Sequence, residues 1–149
     1  MAQDNNDLTL KMDERIATFL KEQTVVNFAT SVKDIPYCAS CYYAYVPGEE
    51  LLVFKSDTDT KHIEDALKND NVAGTVLPDK IITAKIKGIQ FSGIFKAADG
   101  EYADKAKKAY LSKFPVAGLF RGTIWVIELS RVKFTDNTLV FGKKILWER

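Results

Sequence analysis

The stretch from Phe54 to His62 concentrates groups that bind phosphate, at a point where a strand is expected to end and a helix to begin. A helix start exposes unpaired backbone N–H groups and the positive end of the helix dipole, so it attracts anions. The candidate phosphate ligands in the stretch are the hydroxyls of Ser56 and Thr60, the ammonium groups of Lys55 and Lys61, and the imidazole of His62, the only histidine of the chain. This set suits a phosphate monoester. The alternative is a well-capped helix whose polar first turn is only solvated.

Composition limits the classes of protein to which the chain can belong. Its 149 residues are enough for one domain that buries a core without disulfides or metals. The 21 basic and 20 acidic side chains are mixed, so no basic stripe exists to bind nucleic acid. No apolar run approaches the roughly 18 residues that span a bilayer, and the acidic N-terminus is unlike a signal peptide. We therefore expect a cytoplasmic protein.

Cys38 and Cys41 are separated by two residues, a spacing found in redox dithiols and zinc sites. The residues around them favour a strand, in which positions three apart point to opposite faces. A reactive dithiol needs a helix N-terminus to lower the thiol pKa, and a zinc site needs two more ligands. We therefore interpret both cysteines as small strand residues.

The order of the predicted elements indicates a mainly β (α+β) fold. Helical spacing of apolar residues predicts three short helices: about Thr9 to Gln23, about Thr60 to Asn69, and from the Asp99–Gly100 turn to Pro115. Runs of β-branched and aromatic residues predict strands at Thr24–Thr30, from Pro36 to the Pro47–Gly48 turn, and at Leu51–Lys55, Val72–Leu77, Ile81–Lys96, Thr123–Leu129 and Leu139–Trp147. The residues after Leu129, through Phe134, are either a further strand or an extension of the one before. Six or seven largely antiparallel strands predict a single small barrel over residues 1–149, with residues 1–8 as a disordered tail.

Three details of side-chain burial follow from the pattern. In the long strand the apolar residues change faces at Gly88, which predicts a β-bulge there. In the second helix, Leu67 is predicted to face inward. The aromatic side chains of Tyr42, Tyr43 and Tyr45 exceed what one small barrel readily encloses, which predicts an uncovered apolar face and a homodimer.

Three segments carry a resemblance to a known superfamily. They are the hairpin leading into Phe54–His62, the strand Ile86–Gly93, and the ending Lys133–Trp147. With them the chain resembles the FMN-binding split-barrel proteins of the pyridoxamine 5′-phosphate oxidase-like superfamily, and within it a small bacterial branch. The resemblance implies a split β-barrel that binds FMN at a homodimer interface.

The resemblance assigns a phosphate site to the Phe54–His62 stretch. In the oxidases, a hydroxyl residue at the end of the third strand is followed four residues later by Ser-Arg-Lys, and these residues bind the FMN phosphate. Ser56 and then Thr60-Lys61-His62 match that spacing. His62 departs from the pattern, because its charge near neutral pH is not fixed as that of lysine is.

The resemblance also implies contacts with the flavin ring. The strand segment that follows the ring in the family corresponds to Ala39, Ser40, Cys41 and Tyr42, for which packed core is the alternative. Gln90, expected to be buried, is a displaced substitute for a family glutamine that aligns nearer Gly88. A family arginine of the last strand corresponds to Lys144, for which a solvated strand lysine is the alternative.

One part of the family pattern is missing. The oxidases bind the phosphate of their vitamin substrate with Tyr, then Arg and Ser at successive intervals of four residues. The corresponding helix here has Tyr110, Phe114 and Gly118. A phenyl ring cannot hold a phosphate, so pyridoxamine phosphate is not the expected substrate.

Two hypotheses for function remain open, with a third ranked below them. The first is a flavin oxidoreductase that moves electrons between a reduced nicotinamide, or another small-molecule donor, and an acceptor that the sequence does not identify. The second is a non-catalytic flavin-binding or redox-responsive protein with the same site. The third is haem binding on the same fold, for which only His62 could supply an imidazole ligand.

Overall fold

Residues 11–138 and 144–149 are described by the computed structural model, and they contain three α-helices and seven β-strands. The helices are α1 (Glu14–Glu22), α2 (Lys61–Lys68) and α3 (Tyr102–Lys113), and a 3-10 helix spans Pro115–Leu119. The strands are β1 (Val25–Val32), β2 (Ile35–Val46), β3 (Leu51–Ser56), β4 (Asn71–Val76), β5 (Lys87–Ala97), β6 (Thr123–Asp136) and β7 (Lys144–Glu148). All strand pairs are antiparallel, which confirms the predicted fold class.

The strands form one sheet in the order β3-β2-β1-β4-β5-β6-β7, and an additional pairing of β3 with β6 closes the first six into a barrel. The pairing between β2 and β3 is short, and its last pair is Tyr43 with Phe54. Beyond that pair β2 continues beside β1, while β3 continues beside β6 as far as Ser56. The two strands therefore part from each other, and a cleft opens between them.

Aromatic packing fills the barrel beneath this cleft. The Phe54 ring lies 5.1 Å from that of Phe28, and the Phe95 ring lies 5.1 Å from that of Trp125. Tyr43 is fully buried, and its hydroxyl donates to the carbonyl of Leu20 at the end of α1. Tyr45 is buried as well and donates to Glu50. The interior thus holds both tyrosines, so the predicted surplus of aromatic residues on β2 was wrong except for the exposed Tyr42.

The long strand predicted from Ile81 begins only at Lys87, and Ile82 is exposed in the preceding loop. The bulge predicted at Gly88 was also wrong, because Gly88 pairs in register with Thr135. The irregularity lies between Ser92 and Gly93, whose partners on β6 are two residues apart. Gly93 allows the close approach of β6, since a Cβ there would lie 2.6 Å from the Ile127 side chain.

The helices also differ in detail from the prediction. The first begins later than predicted, at Glu14, because Asp13 caps it by accepting a hydrogen bond from the Arg15 backbone N–H. Leu67 on α2 is exposed rather than inward. The predicted tail (1–8), the start of the first predicted helix and the first five positions of the predicted last strand (139–143) lie outside the described residues. Among the residues that are described, no helix is long and apolar enough to cross a membrane.

Close approach of strands around Gly74 supplies a test of this packing. A Cβ at position 74 would lie 2.1 Å from the Asn27 carbonyl oxygen and 2.6 Å from the Phe91 ring. We expect Gly74→Ala to lower the free energy of unfolding by about 1–3 kcal/mol, because the backbone of β1 cannot give way cheaply. Gly118→Ala is the control, since its Cβ meets only the Leu111 side chain at 3.7 Å. Equal urea midpoints for the two variants would contradict the packing.

Candidate functional site

An open cavity of about 440 Å³ occupies the cleft where β2 and β3 part. Its walls come from the end of β3, the start of α2, the middle of β2 and one position on α3. The lining residues are Val25, Ser40, Cys41, Tyr42, Lys55, Ser56, His62 and Tyr110. Six of these eight were predicted from the sequence as site residues, namely all but Val25 and Tyr110.

Ser56, Thr60 and His62 form one hydrogen-bonded group at this cavity. The Ser56 Oγ lies 2.7 Å from the His62 Nε2, and the Thr60 Oγ1 lies 3.4 Å from both atoms. Thr60 is the N-cap of α2, but its hydroxyl donates to the Asp57 carbonyl and makes no capping bond with the helix backbone. The first N–H groups of α2 are therefore not satisfied by the Thr60 side chain, which is the arrangement that accepts an anion.

His62 is partly buried, and its ring meets the Phe28 ring edge-on at 5.7 Å. Burial lowers the pKa of His62 below its ordinary value, because the apolar surroundings penalise the charged form. Without a ligand the imidazole is neutral at pH 7. The lysine of the oxidase pattern is thus replaced by a neutral group whose tautomer decides whether it donates to Ser56 or accepts from it.

The two lysines of the stretch lie in different places. The Lys55 Nζ is at the cavity and donates to the carbonyls of Ala117 at 2.7 Å and Phe120 at 2.5 Å, which ties the 3-10 segment to β3. The Lys61 Nζ instead lies 3.0 and 2.9 Å from the two carboxylate oxygens of Asp65. Lys61 lines a separate groove with Lys33 and is not among the cavity residues.

On β2, three of the four predicted ring contacts line the cavity: Ser40, Cys41 and Tyr42. Ala39 is partly buried and packs against the core. Burial raises the pKa of the Cys41 thiol to about 11, so this cysteine is protonated near neutral pH. Cys38 is exposed, and both cysteines lie in a strand as predicted.

Gln90 and Lys144 are not among the residues that line this cavity. Gln90 is exposed on the outer face of β5, so the prediction that it is buried was wrong. It lines a shallow groove with Ser92, Arg131 and Lys133. Lys144 is exposed at the start of β7, opposite Thr135.

Tyr110 is, with Val25, one of the two cavity residues that the sequence analysis did not include among the site residues. It lies on α3, more than forty residues from the other cavity residues in the chain, and only the packing of α3 over β2 and β3 brings it there. The one signal in the sequence was the resemblance of its helix to the oxidase pattern, in which the corresponding tyrosine binds the substrate. No cluster of His, Cys, Asp or Glu side chains that could hold a metal ion occurs in the described parts of the chain.

No model of a protein family matches the sequence. Individual proteins do: UPF0306 protein YhbP of Salmonella schwarzengrund is 37% identical over 134 residues, covering 90% of this chain and 91% of the relative. YhbP of Escherichia coli is 35% identical over the same length and is covered to 96%. The chain belongs to the UPF0306 family.

Solved structures with low sequence identity share the fold of this UPF0306 protein. A heme binding protein from Mycobacterium smegmatis superposes with a TM-score of 0.74 at 14% identity, over 88% of this chain and about half (55%) of that one. An FAD binding protein from the same organism superposes with a TM-score of 0.67 at 14% identity, over 83% of this chain and 93% of that one. A pyridoxamine 5′-phosphate oxidase-like protein from Listeria innocua superposes with a TM-score of 0.64 at 12% identity, over 81% of this chain and 95% of that one. The fold is therefore the split barrel that these proteins share, which is the fold that the resemblance implied.

The single histidine makes its environment directly measurable. We expect the one imidazole signal in the proton NMR spectrum of the ligand-free protein to titrate below 6.5, the ordinary histidine pKa. Because the folded-state pKa is depressed, the unfolded state binds the proton first. Stability is therefore lost as pH falls from about 6.5 toward the folded-state value. His62→Gln should lack this component of the pH dependence in urea unfolding. A midpoint at or above 6.5 would contradict the buried, neutral imidazole.

Proposed function

We propose that this protein is an FMN-binding flavoprotein that acts as an oxidoreductase, with the flavin bound at a homodimer interface. One observation carries the proposal: the hydroxyls of Ser56 and Thr60 and the imidazole of His62 meet at a helix start that Thr60 leaves uncapped, inside the cleft of the barrel. These are the groups that bind a phosphate. Flavin-binding proteins with the same fold support the choice of cofactor.

The residues present fit FMN. Ser56 and the first N–H groups of α2 would donate to the phosphate, and Thr60 would do so by turning its hydroxyl away from the Asp57 carbonyl. The exposed face of β2 at Ser40 and Tyr42 would lie along the ring. A bound flavin supplies hydride and electron transfer, which explains why no nucleophile–base pair is needed in the cavity. The protein contributes binding, orientation and control of access.

A second copy of the chain would cover the open side of the cavity. On the 3-10 segment that Lys55 holds at the cavity, Leu119 is 85% exposed and Phe120 is 67% exposed. In the loop after β4, Leu77 and Ile81 are exposed, and Leu77 lines a groove that shares Val25 with the cavity. Exposed apolar side chains on two sides of a cavity favour burial against a partner.

This arrangement gives a testable oligomeric state. We expect light scattering to give the mass of a dimer at micromolar concentration. Replacing Leu119 and Phe120 together with Ser should shift the equilibrium toward monomer, because the apolar area that favours association is lost. Ile35→Ser, also at an exposed apolar position but away from the cavity lining, is the control. A monomeric parent protein would contradict the proposed interface.

The oxidoreductase and the non-catalytic flavoprotein differ in turnover. An oxidoreductase should oxidise a reduced nicotinamide with an added acceptor faster than an equal concentration of free FMN does. A binding protein should not. Pyridoxamine phosphate is not the proposed substrate, since Phe114 occupies the position of the phosphate-binding arginine and its ring packs against Tyr110 and Tyr42.

Haem binding remains a second candidate because of one feature of the site. The imidazole of His62 lines the cavity and burial keeps it neutral, which is the form that ligates haem iron. One protein of the same fold is a heme binding protein. The absorbance spectrum after addition of FMN or haemin decides between them: a Soret band that His62→Gln abolishes favours haem, whereas a protein-induced change in the flavin bands favours FMN.

The phosphate site makes the strongest prediction for cofactor choice. FMN should bind more tightly than riboflavin, because most of the identified donors address the phosphate. Ser56→Ala removes a hydrogen bond to a charged group and should weaken FMN binding by about ten- to a hundredfold, with little effect on riboflavin. The role predicted for Lys61 is tested by Lys61→Ala. If Lys61 leaves Asp65 to bind the phosphate, FMN affinity should fall by a similar factor.

Calorimetric titrations at two pH values complete the test. If His62 binds the phosphate as imidazolium, its pKa must rise on binding, so FMN affinity should fall as pH climbs through the bound-state value. Asn71→Ala, at an exposed position on β4 outside the cavity, is the control and should bind FMN like the parent protein. Equal affinities for FMN and riboflavin would place the phosphate elsewhere and contradict the proposal.

A further inference from the structure

Tyr110 is the one buried tyrosine of the described residues whose hydroxyl has no hydrogen-bond partner among them. It is 5% exposed and lines the cavity with Ser56 and His62. The other buried tyrosines are satisfied, since Tyr43 donates to Leu20 and Tyr45 donates to Glu50. The Tyr110 side chain as a whole is buried, but its hydroxyl oxygen is not, because the one buried side-chain oxygen without a partner among the described residues is that of Asn137. The hydroxyl therefore reaches the open cavity that Tyr110 lines. An unpaired phenol at a cavity wall is therefore a group that a ligand can satisfy.

The surroundings of this hydroxyl are aromatic and uncharged. The Phe114 ring lies 5.1 Å from the Tyr110 ring and 5.7 Å from the Tyr42 ring. Burial raises the pKa of Tyr110, so the phenol keeps its proton near neutral pH and can donate it in a hydrogen bond. Cys41, also at the cavity, is likewise a protonated thiol.

The nearby cations are already engaged. Lys55 donates to the carbonyls of Ala117 and Phe120. Lys113, whose ammonium lies over the rings of Tyr43 and Phe114, donates to the carbonyl of Gln23. If the ligand carried an anionic group beside Tyr110, in addition to its phosphate, neither Lys55 nor Lys113 would be free to pair with it, because both already donate to backbone carbonyls. The part of the ligand that lies there is best uncharged.

We propose that Tyr110 donates a hydrogen bond to a carbonyl oxygen on an uncharged planar ring system bound in this cavity. This inference rests on the proposed function and adds to it the specificity-determining residue and the chemistry that the residue selects. The carbonyl has two possible sources: the ring of the flavin itself, or a second planar molecule such as a quinone that binds to the flavin-loaded protein. In both, Tyr42 supplies aromatic surface for the ring, and Phe114 packs against Tyr42.

Tyr110→Phe tests the inference, because it removes one oxygen and keeps the ring. Tyr102→Phe is the matched control: it lies on the same helix, but its hydroxyl contacts Glu128 and it is not among the cavity residues. Each protein is titrated with FMN, following fluorescence and the visible absorption bands. The flavin-loaded protein is then titrated with 1,4-naphthoquinone and with its 2-sulfonate.

Loss of one hydrogen bond should weaken binding by about three- to tenfold. Weaker FMN binding with shifted flavin bands in Tyr110→Phe alone assigns the carbonyl to the flavin. Unchanged FMN binding with weaker binding of naphthoquinone assigns it to a second ligand, and the sulfonate should then bind more weakly than naphthoquinone to the parent protein.

Other outcomes overturn the inference. If Tyr110→Phe binds both probes as tightly as the parent while Ser56→Ala weakens FMN, the inference fails and the proposed function stands. If the parent protein binds no FMN, both fail. Thermal unfolding separates a structural role: removing an unpaired hydroxyl should leave the midpoint of the ligand-free protein unchanged or raise it slightly. A lower midpoint would show that the hydroxyl stabilises the fold, and it would also contradict the inference.

Discussion

The parting of β2 from β3 at the Tyr43–Phe54 pair is the constraint on which the site depends. Below that pair the two strands satisfy each other's backbone groups, and above it each has another partner, β1 or β6. Tyr43 is held from the inside by its bond to the end of α1, and Phe54 by the Phe28 ring. The cleft is thus a product of how the barrel closes: beyond the Tyr43–Phe54 pair each strand is paired on one side only, and its other edge faces the cleft.

Local sequence signals predicted the elements that bear Ser56, Thr60 and His62, the groups proposed to bind a phosphate. The end of β3 at Ser56, the turn after it and the start of α2 after Thr60 are each set by residues close in the chain. The predicted end of the strand, at Lys55, and the predicted start of the helix, at about Thr60, each lie within one residue of these bounds. The strand context of Cys38 and Cys41 was correct for the same reason. Where strands end in a loop without a strong breaker, as between Ile81 and Lys87, apolar residues alone predicted too long a strand.

The remaining errors have two causes. Some positions depend on tertiary packing, and others were assigned from the family pattern although the local sequence indicated something else. Alternation of Ile89 and Phe91 toward the core already puts Gln90 on the outer face, as the structure has it. Lys61 and Asp65 are spaced for an ion pair within α2, which no comparison with the family pattern could reveal. Tyr110 could not be predicted as a cavity residue, because its position depends on how α3 lies across two strands.

The polar groups and the aromatic groups of the cavity come from separate parts of the chain. The polar groups Ser56, Thr60 and His62 lie within seven consecutive residues, whereas the aromatic groups come from β2 and from α3, which is joined to the barrel through loops. A substitution on α3 can therefore alter what lies beside the polar groups without disturbing them. Selectivity for the ligand can therefore change in evolution while the three polar groups stay in place. Relatives with the same fold can differ in the ligand that they bind through substitutions on this one helix.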